Sequence, residues 1–297
     1  MRRQPQQATQ AGYFSGAEQH ALNQQLTPQT TEFRRETVAL AREGLEALAR
    51  FDTATQSAVE RESAAMMRWQ LQMVVDAESY ADYQFPLNQF SGANVQLPSL
   101  MTVVHPLSTA QDADSYLARL AQFEQRMGEA RARADELGKR GILPPRFILD
   151  ATLAQMQKFI ATPPAENPLV TTFATRTAAI SGLEAKQRDE LVAKAEQLVA
   201  DQVYPAWTAA IELLQTQRES ATDDAGLWRF PDGEAAYANA LRQFTTTSLT
   251  AQEIHDLGLR EVTRIEGEMD TILDSLGRTE GTVAERSAAA PGPCVQR

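Results

Sequence analysis

Apolar residues recur along this chain at intervals of three and four, and alternation with a period of two is scarce, which restricts the backbone to helices. The stretch that begins at Asp112 carries Tyr116, Leu117, Leu120, Phe123, Met127 and Leu137 on this repeat, and Gly141 followed by Pro144 and Pro145 predicts its end. A later stretch repeats the pattern through Leu257, Val262, Ile265, Met269, Ile272 and Leu276. Its start is specified several ways at once: Thr250 and Glu253 form a capping box, and Leu249 with Ile254 occupies the positions of a hydrophobic staple. The expected class is all-α, a multi-helix array.

Between and around these stretches the punctuation is helical too. Ser15 with Glu18 predicts a short helix toward Leu26. Thr27 with Pro28 predicts a second, running through Phe33, Leu40, Leu45 and Leu48 to about Phe51. Ser57 and Glu60 open a third, whose Met66, Met67, Leu71, Val74 and Val75 read as a core-filling stripe. Further helices are predicted from Pro145 to Ile160, through Phe173 and Ile180, and from Leu183 to Gln217, with a bend near Tyr204 where Pro205 removes a backbone donor. Trp228 and Phe230 read as an aromatic anchor before the Pro231-Asp232-Gly233 turn, and Gly258 implies close approach of another helix. The expected organisation is a disordered segment over 1–12, a helical domain over 13–280 with an internal hinge at 162–168 (TPPAENP), and a low-information tail over 281–297.

Residues 84–107, QFPLNQFSGANVQLPSLMTVVHPL, stay apolar while Pro86, Gly92, Pro98 and Pro106 interrupt any helix. A non-helical connection of this length is expected either to pack as a covering segment or to form the wall or lid of a channel.

Composition narrows the functions. With 297 residues, 43% hydrophobic and 23% charged, the chain is long enough and apolar enough to bury a sizeable core. A formal net charge of -11 disfavours binding to nucleic acid, which draws on clustered Lys and Arg. The single cysteine, Cys294, has no internal disulfide partner and no activating base beside it. No run approaches the length of a transmembrane helix, and the polar start MRRQPQQATQ leads into no apolar signal core, so the expected location of the chain as written is cytoplasmic. A Gly-x-Ser-x-Gly elbow, a phosphate loop and a dinucleotide fingerprint are all absent; Gly138-Lys139 lacks the loop's first glycine, since residue 133 is Arg.

Specific residues then carry a resemblance. The run Trp228-Arg229-Phe230-Pro231-Asp232-Gly233-Glu234, followed by Tyr237, Leu241-Arg242, the Thr245-Thr246-Thr247 triplet and Leu249-Thr250 through Glu253-Ile254-His255, is similar to the bacterial domain-of-unknown-function family 885. Tyr80-Ala81-Asp82-Tyr83, Pro86-Leu87-Asn88-Gln89 and Tyr116-Leu117-Ala118-Arg119-Leu120 agree with it, so that the resemblance covers roughly 13–285. It implies a helical fold of the gluzincin metallopeptidase type enclosing a deep channel, with zinc held by a His-Glu-x-x-His motif in the second half of the full-length protein, a peptide as substrate, and many relatives exported or lipid-anchored.

That motif needs two histidines one helical turn apart with a glutamate beside the first. His20 is followed by Ala21, His105 by Pro106 and His255 by Asp256, so none begins it. No catalytic, cofactor-binding or metal-ligating residue is therefore assigned, and each histidine is expected to be packed or solvated. The Thr triplet and the Pro-Asp-Gly-Glu run are expected to cap and connect helices. The pattern fades over GRTEGTVAERSAAA, and the chain is expected to be a truncated N-terminal portion of a metallopeptidase-like protein, inactive alone. The alternative is a helical scaffold or interaction protein derived from that fold. Under the first expectation Val262, Met269 and Ile272 lie exposed and favour self-association.

Overall fold

The computed structural model describes residues 1–288, and no strand occurs among them. They form two compact units, Met1–Pro231 and the residues from Asp232 onward. In the first unit α1 (Pro5–Ala11) and α2 (Gly16–Asn23) pack together, and α3 (Thr31–Ala49) and α4 (Ala58–Asp76) form an antiparallel pair. There follow α5 (Ala93–Ser99), α6 (Ala110–Leu120), α7 (Phe123–Lys139), α8 (Arg146–Ile160), α9 (Pro168–Thr177), α10 (Ala185–Leu198) and α11 (Tyr204–Ser220).

The core lies among α6 to α11. Tyr116, Leu120, Phe123 and Met127 are fully buried against Leu149 and Met156 of α8, Phe173 of α9 and Trp207 of α11. Trp207 stacks near Phe123 (6.1 Å) and Phe159 (5.2 Å), and each such side chain contributes roughly 1.5–3 kcal/mol by leaving water. The periodicity from Asp112 to Leu137 is divided between α6 and α7, where a single helix was expected. The break falls at Ala121 and Gln122: the Gln122 amide donates to the carbonyls of Gln24 (2.7 Å) and Ala118 (2.8 Å) and accepts from the Leu26 N–H (3.0 Å), so this residue is committed to holding the chain after α2.

Several boundaries differ from expectation for local reasons. Residues 1–12 contain α1, with Pro5 at its first position and Ala8 fully buried, in place of the disordered segment. Ser15 makes no side-chain cap, and the Glu18 carboxylate pairs with Arg2. Thr30, and not Thr27, caps α3, accepting from Phe33 N–H (3.1 Å); the Thr27 and Gln29 N–H groups are bound by the side chains of Gln6 and Glu129. The Ser57–Glu60 capping box does open α4, yet Met66 and Met67 are 66% and 51% exposed, and Met73 is the buried residue of that helix. Met66, Met67 and Val74 face water, whereas Leu71 of the same stripe packs on α3, where Gly44 leaves room for it: a Cβ there would lie 2.9 Å from the Leu71 Cδ1.

Residues 84–107 are helical in part. α5 contains Pro98 and passes into a π-helical turn, Leu100–Val104, which accommodates the missing proline donor. Leu87, Leu97, Met101 and Leu107 from this segment enter the core. A second π turn, Val199–Val203, joins α10 to α11 and puts the break at Tyr204, with Pro205 in the first turn of α11. The 162–168 turn lies within the first unit, where buried Asn167 caps α9 and donates to the Phe159 carbonyl (3.0 Å), and the Tyr204 hydroxyl donates to the Thr162 carbonyl (2.7 Å).

The second unit contains α12 (Gly233–Thr245), α13 (Ala251–Ser275) and α14 (Val283–Ala288). The Thr250–Glu253 capping box is complete, with the Thr250 N–H donating to Glu253 Oε2 (2.8 Å) and the Glu253 N–H to Thr250 Oγ1 (3.2 Å). Nothing lies within 4 Å of a Cβ built on Gly258, so the close helix approach expected there is absent among the described residues. Inside the expected tail, Thr282 and Glu285 cap α14, and buried Arg286 pairs with Asp270 and with Asp274 (2.9 Å) of α13. Cys294 lies outside the described residues.

Candidate functional site

The most deeply placed cation is Arg119, on the buried face of α6 one turn beyond Tyr116 and fully shielded from water. Its Nε donates to the Gln25 carbonyl (3.0 Å) and Nη1 to His105 Nδ1 (3.0 Å). Nη2 donates to Thr9 Oγ1 (2.6 Å) and to the carbonyls of Leu22 (3.2 Å) and Pro5 (3.4 Å). Arg119 makes no ion pair among the described residues. The carbonyls at the C-terminal end of α2 supply the compensating partial charge. Burial lowers the Arg119 pKa to about 10, which still leaves it charged at neutral pH.

His105 terminates the π turn and is also fully buried. Its Nε2 donates to the Asp112 carbonyl (3.1 Å), so Nδ1 is the acceptor for Arg119 and the ring is neutral. Burial, above all, pushes the His105 pKa down to about 4, against the pull of the Asp112 carbonyl and with help from Arg119 and Arg176. Its ring meets Tyr116 edge-on at 5.3 Å, and Tyr116 donates to the Leu169 carbonyl (2.8 Å). Burial raises the Tyr116 pKa.

This network holds two pieces of chain in place: α1 through Pro5 and Thr9, and the π turn through His105, whose N–H donates to the Leu100 carbonyl (2.7 Å). Between them lies an open cleft of about 550 Å³. Gln4, Gln7 and Gln10 line it on the α1 side, and Val95, Leu100 and Val104 on the other. No charged side chain lines it among the described residues. Neither the buried network nor the cleft was assigned from sequence. The available signal was the density of glutamine in PQQATQ together with Pro5 at a helix start, and neither shows what faces it.

The three histidines stand in separate settings. His105 is buried as described, His20 lies within reach of Ser115 Oγ (3.3 Å) and the Gln24 amide (2.6 Å), and His255 is exposed on α13. Among the described residues no group of three His, Cys, Asp or Glu is arranged to hold a metal ion. The Thr triplet works locally: Thr245 Oγ1 donates to the Leu241 carbonyl (2.8 Å) and Thr246 ends α12 in the left-handed region. Asp232 adopts the same conformation before α12. Phe230 is buried and stacked on Tyr83 at 4.9 Å, whereas Trp228 is exposed, so one of the two expected anchors serves.

A family model described as "Bacterial protein of unknown function (DUF885)" matches residues 5–292. The chain belongs to this family. The DUF885 chain also superposes on a crystal structure described as that of "the putative lipoprotein from Colwellia psychrerythraea", with a TM-score of 0.84 and 22% identity. The match covers 96% of the DUF885 chain and 50% of that one, so the DUF885 chain spans about half the length of this structural relative. At such identity the likeness establishes the fold. No curated protein matches the DUF885 chain. Among its described residues no helix is long and apolar enough to cross a membrane.

Proposed function

We propose that this chain is the helical, non-catalytic N-terminal portion of a zinc metallopeptidase-like hydrolase, inactive by itself. The observation that carries the reading is α13, a 25-residue helix whose Val262, Ile265, Met269 and Ile272, continued by Leu276 just past its end, form one apolar face, each between 38% and 66% exposed. A continuous apolar stripe of that length is a surface for another folded element. The structural relative is twice as long and supports the presence of such an element in the complete fold. The residues of this chain do not fit a hydrolytic zinc centre: His105 is committed to Arg119 and Asp112, and neither His20 nor His255 has a second histidine one turn away. The zinc ligands and the general base belong, on this reading, to the other half.

The test is direct. The purified chain, loaded with zinc, is expected to bind no stoichiometric tight metal and to hydrolyse no fluorogenic peptide. Peptide cleavage abolished by His20→Ala, His105→Ala or His255→Ala would overturn the reading. Sequencing the gene past the codon for Arg297 is expected to reveal a His-Glu-x-x-His segment. Location is a separate question, since the expected cytoplasmic placement and the lipoprotein description of the relative disagree; cell fractionation decides between them.

A second reading, a helical protein that works by binding alone, is supported by the uncharged cleft beside α1.

A further inference from the structure

We propose that the cleft between α1 and the π turn binds an uncharged, extended peptide segment. Such binding is independent of the metallopeptidase reading, because the cleft lining holds no histidine, carboxylate, lysine or cysteine among the described residues, and so no general base to activate the Thr27 or Ser99 hydroxyl and no metal donor set.

Its polar lining is mainly primary carboxamides, beside Thr27 and Ser99. A glutamine side chain carries a donor and an acceptor side by side, the same pair that a backbone peptide group presents, so one amide satisfies the other through two hydrogen bonds. Gln4, Gln7 and Gln10 follow one another at intervals of three, a rise of about 9 Å at 1.5 Å per residue. An extended peptide advances about 3.3 Å per residue, so this row matches about three residues of ligand. Among the described residues these three side chains make no hydrogen bond within the protein, nor does that of Gln96 on the facing wall.

The facing wall is apolar. The π turn widens the helix after Pro98 and brings Leu100 and Val104 to the cleft beside Val95, while Phe90 stands at the rim with 80% of its surface in water. A strand laid between the walls presents alternate side chains to the apolar surface while its backbone meets the amides. With no charged residue in the lining, a phosphate, a carboxylate or a charged terminus gains no partner there and loses hydration. At about 550 Å³ the cleft is within the size range of ligand sites. The Arg119–His105 network fixes both walls before any ligand arrives, which limits the ordering cost of binding.

The experiment is calorimetric titration of the full chain, in EDTA, with an N-acetylated, C-amidated hexapeptide of alternating valine and asparagine. A hexapeptide of alternating valine and glutamate and the neutral sugar maltohexaose serve as comparison ligands. The neutral peptide is expected to bind at least about tenfold more tightly than the acidic one. It is expected to lose about tenfold in affinity for Phe90→Ala combined with Gln96→Ala, both side chains being exposed, with the thermal melt unchanged. No binding of the neutral peptide, equal affinity for the double variant, or tighter binding of maltohexaose would each overturn the proposal. Because no zinc or cleavage enters the readout, its failure is distinguishable from failure of the hydrolase reading.

Discussion

Helices α6 and α7 keep Tyr116, Leu120, Phe123 and Met127 wholly out of water, whereas α13 leaves Val262, Ile265, Met269 and Ile272 substantially exposed. Both regions space their apolar residues by three and four, and both start at a complete capping box. The difference lies in what covers them. α7 and α8 pack on α11, while within its own unit α13 receives α14 on the side of Asp270 and Asp274, away from an apolar stripe that stays exposed. Register chooses which face of a helix is apolar; only a partner element turns that face into stability.

The largest expected contrast is therefore between core truncations and stripe truncations. Trp207→Ala removes a fully buried indole packed between Phe123 and Phe159 and is expected to cost about 3–5 kcal/mol in urea unfolding. Trp207→Phe is expected to cost much less, because the indole Nε1 has no hydrogen-bond partner among the described residues and its removal leaves nothing unsatisfied there. Equal losses for the two variants would show that the ring volume is not what the core requires.

Acid sharpens the comparison next, since His105 lies in the covered region. Its pKa in the folded protein is about 4, against about 6.5 when unfolded, so between these values the unfolded chain holds the extra proton. Stability is thus fully present above about pH 6.5 and is lost as pH falls toward 4, by on the order of 3 kcal/mol. The groups that face the ring are Arg119, Tyr116 and the Asp112 carbonyl, with Arg176 held on the His105 backbone carbonyl, so protonation at Nδ1 would set a second cation against Arg119. His105→Asn is expected to flatten the urea midpoint over this window; an unaltered profile would assign the acid sensitivity elsewhere.

The same contrast explains which features are legible in the amino-acid sequence. The capping boxes at Ser57 and Thr250 and the proline-marked break at Tyr204 can be read there because a side chain within a turn of the boundary sets them. Met66 and Met67 were misplaced because their spacing is helical, yet the face they occupy is uncovered. Gln122 breaks a helix by bonding to Gln24 and Leu26, roughly a hundred residues away in sequence, and no local pattern announces that. The cleft is hidden for the same reason: Gln4, Gln7 and Gln10 become a wall only when Arg119 draws α1 toward the π turn.

A smaller effect tests the one device α13 shares with α6. Thr250→Ala removes the reciprocal cap at its start and is expected to destabilise that turn by about 1 kcal/mol. The effect is read as faster hydrogen exchange at the Ile254 and Glu253 amides, with the urea transition of the first unit unmoved.

The smallest change in folding stability is expected where the apolar stripe is cut. Val262→Ser with Ile272→Ser removes side chains that are already more than half exposed, so urea unfolding is expected to shift by no more than about 0.5 kcal/mol. Association in solution should respond more strongly. Two copies joined through this face would bring Glu261, Glu266 and Glu268 of one against the same residues of the other, and Arg264 already pairs with two of these, Glu261 and Glu268. Self-association is accordingly expected to be weak at low salt, to strengthen as salt screens the glutamates, and to vanish in the double variant, all measured by sedimentation equilibrium. Association that weakens with salt, or that survives the double substitution, would move the sticky surface off α13 and remove the contrast with the covered helices.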